Sequence, residues 1–146
     1  MSDAHPRLHD LSEDECWDLV AGNSVGRLAV SIDNTPDVFP VNYVVDRTGE
    51  RPTIVIRTAA GLKLAAAVLG RGVAFEVDEV DAASRTGISV VIRGRATEIE
   101  RLDDLLAAWE LEVEPWASGP KNRYLRVEPE VITGRAIAAT SGAPAR

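Results

Sequence analysis

The sequence predicts a mainly β fold with added α-helices (α+β): six to seven antiparallel strands closed into a small barrel, with flanking helices. Three observations carry this. Seven short segments alternate apolar and polar residues, the period of a strand. Turn residues join most of them into hairpin-linked groups, the signature of a closed antiparallel sheet. Only three segments show helical spacing, and they are scattered among the strands.

Residues 1–10 are expected to be flexible, 11–139 to form one domain, and 140–146 to be a disordered tail of small residues. Ser12-Glu13-Asp14-Glu15 is a capping box, Ser at N-cap and Glu at N3, which starts a helix running to about Ala21. Its apolar positions Leu11, Cys16, Trp17, Leu19 and Val20 form one buried face, and Gly22-Asn23 stops it. Val25 to Ile32 is a strand with Leu28, Val30 and Ile32 on one face, closed by the turn Asp33-Asn34-Thr35-Pro36. Val38 to Asp46 is the second strand, with Phe39, Val41, Tyr43 and Val45 on one face and Asn42 on the other. Pro40 cannot donate a ladder hydrogen bond, so the strand is an edge or is bulged there.

After a polar loop at Arg47 to Arg51 comes Thr53 to Leu69, which reads as strand, tight turn and helix. Ile54 and Ile56 alternate with Val55 and Arg57; Leu62, Ala65, Ala66 and Leu69 fall at i, i+3, i+4 and i+7. Val73 to Asp78 is a strand, Val80 to Thr86 a loop, and Gly87 to Ile99 a long strand with Gly94 marking a bend. Leu102 to Val113 is a helix whose stripe is Leu102, Leu105, Leu106 and Trp109, with Trp109 in the core. Tyr124 to Val127 and Val131 to Ala138 are the closing strands.

Composition bounds the function. A chain of 146 residues with 45% hydrophobic and 27% charged residues is one ordinary globular domain. No apolar run approaches the ~20 residues of a membrane span, and the N-terminus lacks a signal-peptide core. One cysteine rules out an internal disulfide, which fits a reducing cytoplasm. A net charge of −7 argues against nucleic-acid binding but leaves room for a small anion at a local cation cluster.

The local chemistry points to such a cluster. A helix beginning after Thr58 would have Lys63 in its first turn and Arg57 just upstream, with no acid between them. A helix N-terminus is already positive, so two more cations there destabilise it unless an anion joins them. Two readings stand: Arg57 pairs with Glu76 or Asp78 while Lys63 is solvated, or both hold a phosphate. Neither a Walker-type loop nor a Gly-x-Gly-x-x-Gly turn is present. Hydrolytic chemistry is poorly served, because the only histidines are His5 and His9 and Cys16 sits on a helix as a packed small hydrophobe. Glu76, Asp78, Glu79 and Asp81 match no Ca²⁺ loop, so no metal site is expected. Trp116, beside Pro115 in a loop, needs a partner: a ligand ring or a second subunit. A phosphate site, an irregular strand and a loop tryptophan together suit an aromatic cofactor with a phosphate tail.

The sequence resembles the FMN-binding split β-barrel proteins, the pyridoxamine 5′-phosphate oxidase-like group, and especially its short bacterial members. The resemblance is carried by Val25-Gly26-Arg27-Leu28-Ala29, Phe39-Pro40-Val41-Asn42-Tyr43-Val44-Val45-Asp46, Ile56-Arg57-Thr58-Ala59-Ala60-Gly61-Leu62-Lys63, Val73 to Asp78, Gly87 to Gly94 and Ile132-Thr133-Gly134-Arg135. It implies a homodimer with a flavin at the subunit interface. The cofactor would be FMN, or alternatively a deazaflavin coenzyme. The FMN phosphate would lie on Arg57, Thr58 and Lys63 within the segment that also holds Ile56, Gly61 and Leu62. Pro40, Val41, Asn42 and Tyr43 would lie along the isoalloxazine with Ser89 nearby, and Trp116 and Arg123 would reach the flavin from the partner subunit. The family's C-terminal Arg-Leu-His substrate grip is missing; Arg7-Leu8-His9 has the letters at the other end of the chain. The implied activity is therefore flavin-dependent hydride transfer to an unidentified small molecule rather than vitamin B6 oxidation. The alternative is a dimeric barrel that binds or senses a flavin without turnover.

Overall fold

The structure, a computed structural model, describes residues 7–58, 72–116 and 123–138. Among them are seven strands, β1 (Arg7–Asp10), β2 (Val25–Ile32), β3 (Thr35–Asp46), β4 (Thr53–Thr58), β5 (Gly72–Asp81), β6 (Thr86–Glu98) and β7 (Arg123–Ala138), and two helices, α1 (Glu13–Ala21) and α2 (Leu102–Glu110). The helix expected over 62–69 and the tail at 140–146 lie outside the described residues.

All pairings are antiparallel, in the order β1-β7-β4-β3-β2-β5-β6, and β7 also pairs with β6. That last pairing closes a six-stranded barrel. The sixteen-residue β7 makes the closure possible by changing partners along its length. Its first part, Arg123 to Val127, lies against β4, and its last part, Arg135 to Ala138, against β1, while β6 follows it from Leu125 to Ile137. The barrel is thus split where β4 ends and β1 begins.

Two sequence-based expectations change here. Arg7–Asp10 is a strand, registered Arg7 on Ala138 and Asp10 on Arg135, rather than part of a flexible arm. The two closing strands are one, which passes through Pro129 by an irregularity opposite Arg93 and Gly94. Gly94 marks that bend because a Cβ there would run into the Glu128 carbonyl. Two strands are also longer than expected. β3 begins at Thr35, because Asp33 and Asn34 (φ 49° and 60°) form a two-residue turn with both residues left-handed, as a type I′ hairpin requires. β5 reaches Asp81, so the loop is 82–85.

The barrel interior is filled by Leu28, Tyr43, Ile54, Ile56, Phe75, Val77, Val90, Ile92 and Leu125, with Tyr43 and Phe75 in a T-shaped contact at 4.8 Å. Gly26 lies under the Phe75 ring, where a Cβ would clash. Helix α1 plugs one end of the barrel with Cys16, Trp17, Leu19 and Val20. Its capping box is complete: Glu15 N–H donates to Ser12 Oγ (3.2 Å) and Ser12 N–H to Glu15 Oε1 (2.9 Å). On the outside of β4 and β7 a smaller cluster of Val55, Ile99, Ala108, Val113 and Tyr124 seats helix α2.

Candidate functional site

Strand register brings several of the expected residues together. Asn42 on β3 lies across from Arg57 on β4, and Arg57 across from Tyr124 on β7. Thr58 faces Arg123 in the next register position. Arg57 alternates with the buried Ile56, so its side chain leaves the barrel interior and enters the space beside α2. There its guanidinium lies 5.2 Å from the Trp109 ring and 5.7 Å from the Tyr124 ring, within cation–π range. It also donates to the Val113 carbonyl at 3.3 Å. A cavity of about 450 Å³ opens beside it, walled by Trp109, Val113, Glu110, Glu112 and Glu114.

Asn42 joins the cluster from the other side. Its Oδ1 accepts the Trp116 N–H at 2.8 Å across 74 residues of sequence, and its Nδ2 donates to the Ser24 carbonyl at 3.4 Å. The Trp116 side chain is left 74% exposed. The irregularity expected at Pro40 is an edge and not a bulge. The β2–β3 register is unbroken from Thr35 to Asn42, and β4 pairs with β3 only from Asn42 onward. Among the described residues, β3 from Thr35 to Val41 therefore has a strand on one side only.

Two expectations are corrected. The acids first considered as partners of Arg57 belong to Arg27, which meets Glu76 at 2.6 Å and Asp78 at 3.4 Å. Burial, with Asp78 adding to it, raises the Glu76 carboxyl against the pull of Arg27. Trp109 is not a core residue; it is 62% exposed and caps Arg57. Within its own chain Arg123 lies 3.4 Å from Glu98 and stays 43% exposed.

The remaining residues divide. Val41, Tyr43 and Ile56 are buried in the barrel and hold the strands in register. The Tyr43 hydroxyl donates to the Val20 carbonyl at 2.5 Å, and burial pushes its pKa up, so it is a structural donor and not a proton source at neutral pH. Ser89 stands nine residues before Glu98 on β6, roughly 30 Å of extended chain, and lines a separate cavity. Gly61, Leu62 and Lys63 lie outside the described residues.

The rings around Arg57 escaped the sequence reading. Tyr124 and Trp109 are distant in sequence from Arg57, and only the β4–β7 register and the seating of α2 bring them to it. The alternation at Arg123-Tyr124-Leu125 was the available signal. Among the described residues no group of three potential metal ligands converges, and no helix is long and apolar enough to cross a membrane.

A split barrel whose β4 carries an arginine to an outer cavity defines the structural class. Residues 12–136 match the family model described as pyridoxamine 5′-phosphate oxidase, and the chain belongs to that family. It is 31% identical over 137 residues to an uncharacterized protein of Mycobacterium tuberculosis, Rv0080, covering 92% of this chain and 89% of that protein. The fold is similar to the FAD binding protein from Mycobacterium smegmatis, with a TM-score of 0.76, 38% identity, and coverage of 90% of this chain and 100% of the other. It is also similar to a FAD-binding protein from Mesorhizobium loti, with a TM-score of 0.75, 25% identity, and coverage of 91% and 98%.

Proposed function

We propose that this chain binds a flavin through the phosphate on its ribityl chain, a group shared by FMN, FAD and a deazaflavin coenzyme. FMN is the leading candidate and a deazaflavin coenzyme the alternative. The observation that carries the reading is Arg57, held between two rings at the end of β4 and one strand away from Asn42. A guanidinium with its orientation set by stacking and by the Val113 carbonyl is prepared for a phosphate, because little side-chain entropy remains to be lost. The phosphate is assigned to Arg57 together with Thr58 and Lys63. The edge of β3 at Pro40 and Val41 suits the polar rim of a flavin ring, since an edge strand presents backbone groups. The exposed Trp116, tied by its backbone to Asn42, offers a stacking face. Membership of the family and two similar FAD-binding proteins support the same reading.

When bound, a flavin supplies hydride-transfer chemistry, and the chain supplies position and electrostatics. The reaction we assign is oxidation or reduction of a small molecule. The Tyr43 hydroxyl, a possible acid on this strand, donates to the Val20 carbonyl and so does not serve as a proton donor to a substrate. That exclusion favours, as second reading, a barrel that binds flavin without turnover. The chain is further taken as a homodimer with the flavin at the subunit interface. The apolar positions Leu102, Leu106 and Trp109 on the outer face of α2, which are 70%, 55% and 62% exposed, support an apolar contact with a second copy. Titration with FMN, read by flavin absorbance, tests the site. Arg57→Ala is expected to weaken binding about tenfold or more; unchanged affinity would overturn the assignment.

A further inference from the structure

The largest of the cavities described for this molecule, about 620 Å³, lies on the outer face of β6 and β7 and shares no lining residue with the cavity beside Arg57. Ser89, Val91 and Arg93 alternate with the buried Val90 and Ile92, so they point outward. Arg135 stands directly across from Ser89 and Thr133 across from Val91. The two arginines therefore bracket a patch with two hydroxyls and an apolar floor of Val91, Leu11 and Ile132.

The charges around the cavity are unbalanced. The chain carries a net charge of −7, yet neither Arg93 nor Arg135 is in an ion pair among the described residues. Two of the neighbouring acids are engaged elsewhere: Asp78, across from Ser89, and Glu76, across from Val91, both bind Arg27. Glu130 lies 3.8 Å from Arg95. Asp10 on β1, directly across from Arg135, lines the same cavity without an ion pair to it and makes that end less favourable to an anion than the Arg93 end.

We propose that this cavity binds a small molecule with a phosphate or carboxylate head between Arg93 and Arg135 and an apolar body over Val91. Its volume is that of a small-molecule site. Two guanidiniums with adjacent hydroxyls provide forked donors for an oxyanion. The proposal is independent of whether Arg57 holds a flavin.

The test is a calorimetric titration of the full chain with phenyl phosphate, with benzyl alcohol as the neutral counterpart. Saturable binding of phenyl phosphate is expected. It should weaken about tenfold or more in Arg93→Ala and in Arg135→Ala, stay unchanged in Arg95→Ala, and be lost in Thr133→Asp, which places a carboxylate between the two cations. Benzyl alcohol should not bind measurably. Absence of saturable binding, equal binding of the two probes, or unchanged affinity in both arginine variants would overturn the proposal. Loss of binding in Arg57→Ala alone would also overturn it, by moving the probe to the other site.

Discussion

The two described helices are each nine residues long and each carry acids in the first turn, yet they are used in opposite ways. Helix α1 has a complete capping box and buries four side chains in the end of the barrel. Helix α2 has no side-chain cap at Arg101 and buries only Ala108, with Leu105 and Leu111 partly buried. Its larger apolar residues Leu102, Leu106 and Trp109 stay exposed. One helix completes the core; the other leaves an apolar surface beside the candidate site.

The difference extends to how each side of the sheet is held. Under α1 the contacts are apolar. Near the start of α2 a polar network adds to the apolar cluster that seats the helix: Arg126 donates to Asp46 Oδ2 at 2.9 Å and to Thr53 Oγ1 at 2.6 Å, while the Thr48 N–H and hydroxyl donate to Asp46 Oδ1. Arg57 adds its contacts with the two rings.

The sharpest way to break the comparison is to truncate one tryptophan from each helix. Trp17→Ala removes a ring that is 6% exposed and leaves a cavity under α1. It is expected to cost about 3–5 kcal/mol in denaturant unfolding. Trp109→Ala removes an exposed ring and one cation–π contact, and is expected to cost about 1 kcal/mol or less. Similar losses would show that α2 is as much a core element as α1.

The next effect is electrostatic. Burial alone would raise the Asp46 carboxyl, but the hydrogen bonds from Thr48 and Arg126 outweigh it and hold the pKa below the ordinary aspartate value. A lowered native pKa favours the folded state at pH values above the unfolded pKa, and that contribution disappears as pH falls through the native value. Asp46→Asn is therefore expected to cost about 1–3 kcal/mol at neutral pH. The gap to the wild type should close on acidification below about pH 4. A gap independent of pH would mean that the network acts by packing and not by charge.

These contrasts were only partly legible in the sequence. Strand alternation gave the barrel, because a strand buried on one face must alternate, and Ser12 and Glu15 gave the start of α1, because capping is local. Gly94 gave the bend. What escaped was set by long-range pairing. Arg7–Asp10 is short and polar, and it becomes a strand only because the far end of β7 has an open side. Asp46 and Arg126 are 80 residues apart and meet only after β7 closes the sheet. In the candidate site, Arg57 and Asn42 were legible as residue types, whereas the rings beside Arg57 follow from the β4–β7 register. The stripe of α2 shows the limit most directly. Helical periodicity reveals that a face is apolar but not what covers it, and Leu102, Leu106 and Trp109 are left outside the fold of one chain.

That stripe sets the smallest expected effect on stability and the clearest one on assembly. Leu106 is 55% exposed, so Leu106→Glu should change the unfolding free energy by no more than about 0.5 kcal/mol. If a second copy covers the stripe, as proposed, the same substitution buries a charge in an apolar contact and should convert a dimer to a monomer in sedimentation velocity. Exposed Leu8 on β1 serves as the control, since its substitution by Glu should leave the sedimentation coefficient unchanged. Wild-type sedimentation by the Leu106 variant would place the interface elsewhere, and the apolar face of α2 would then need a different occupant.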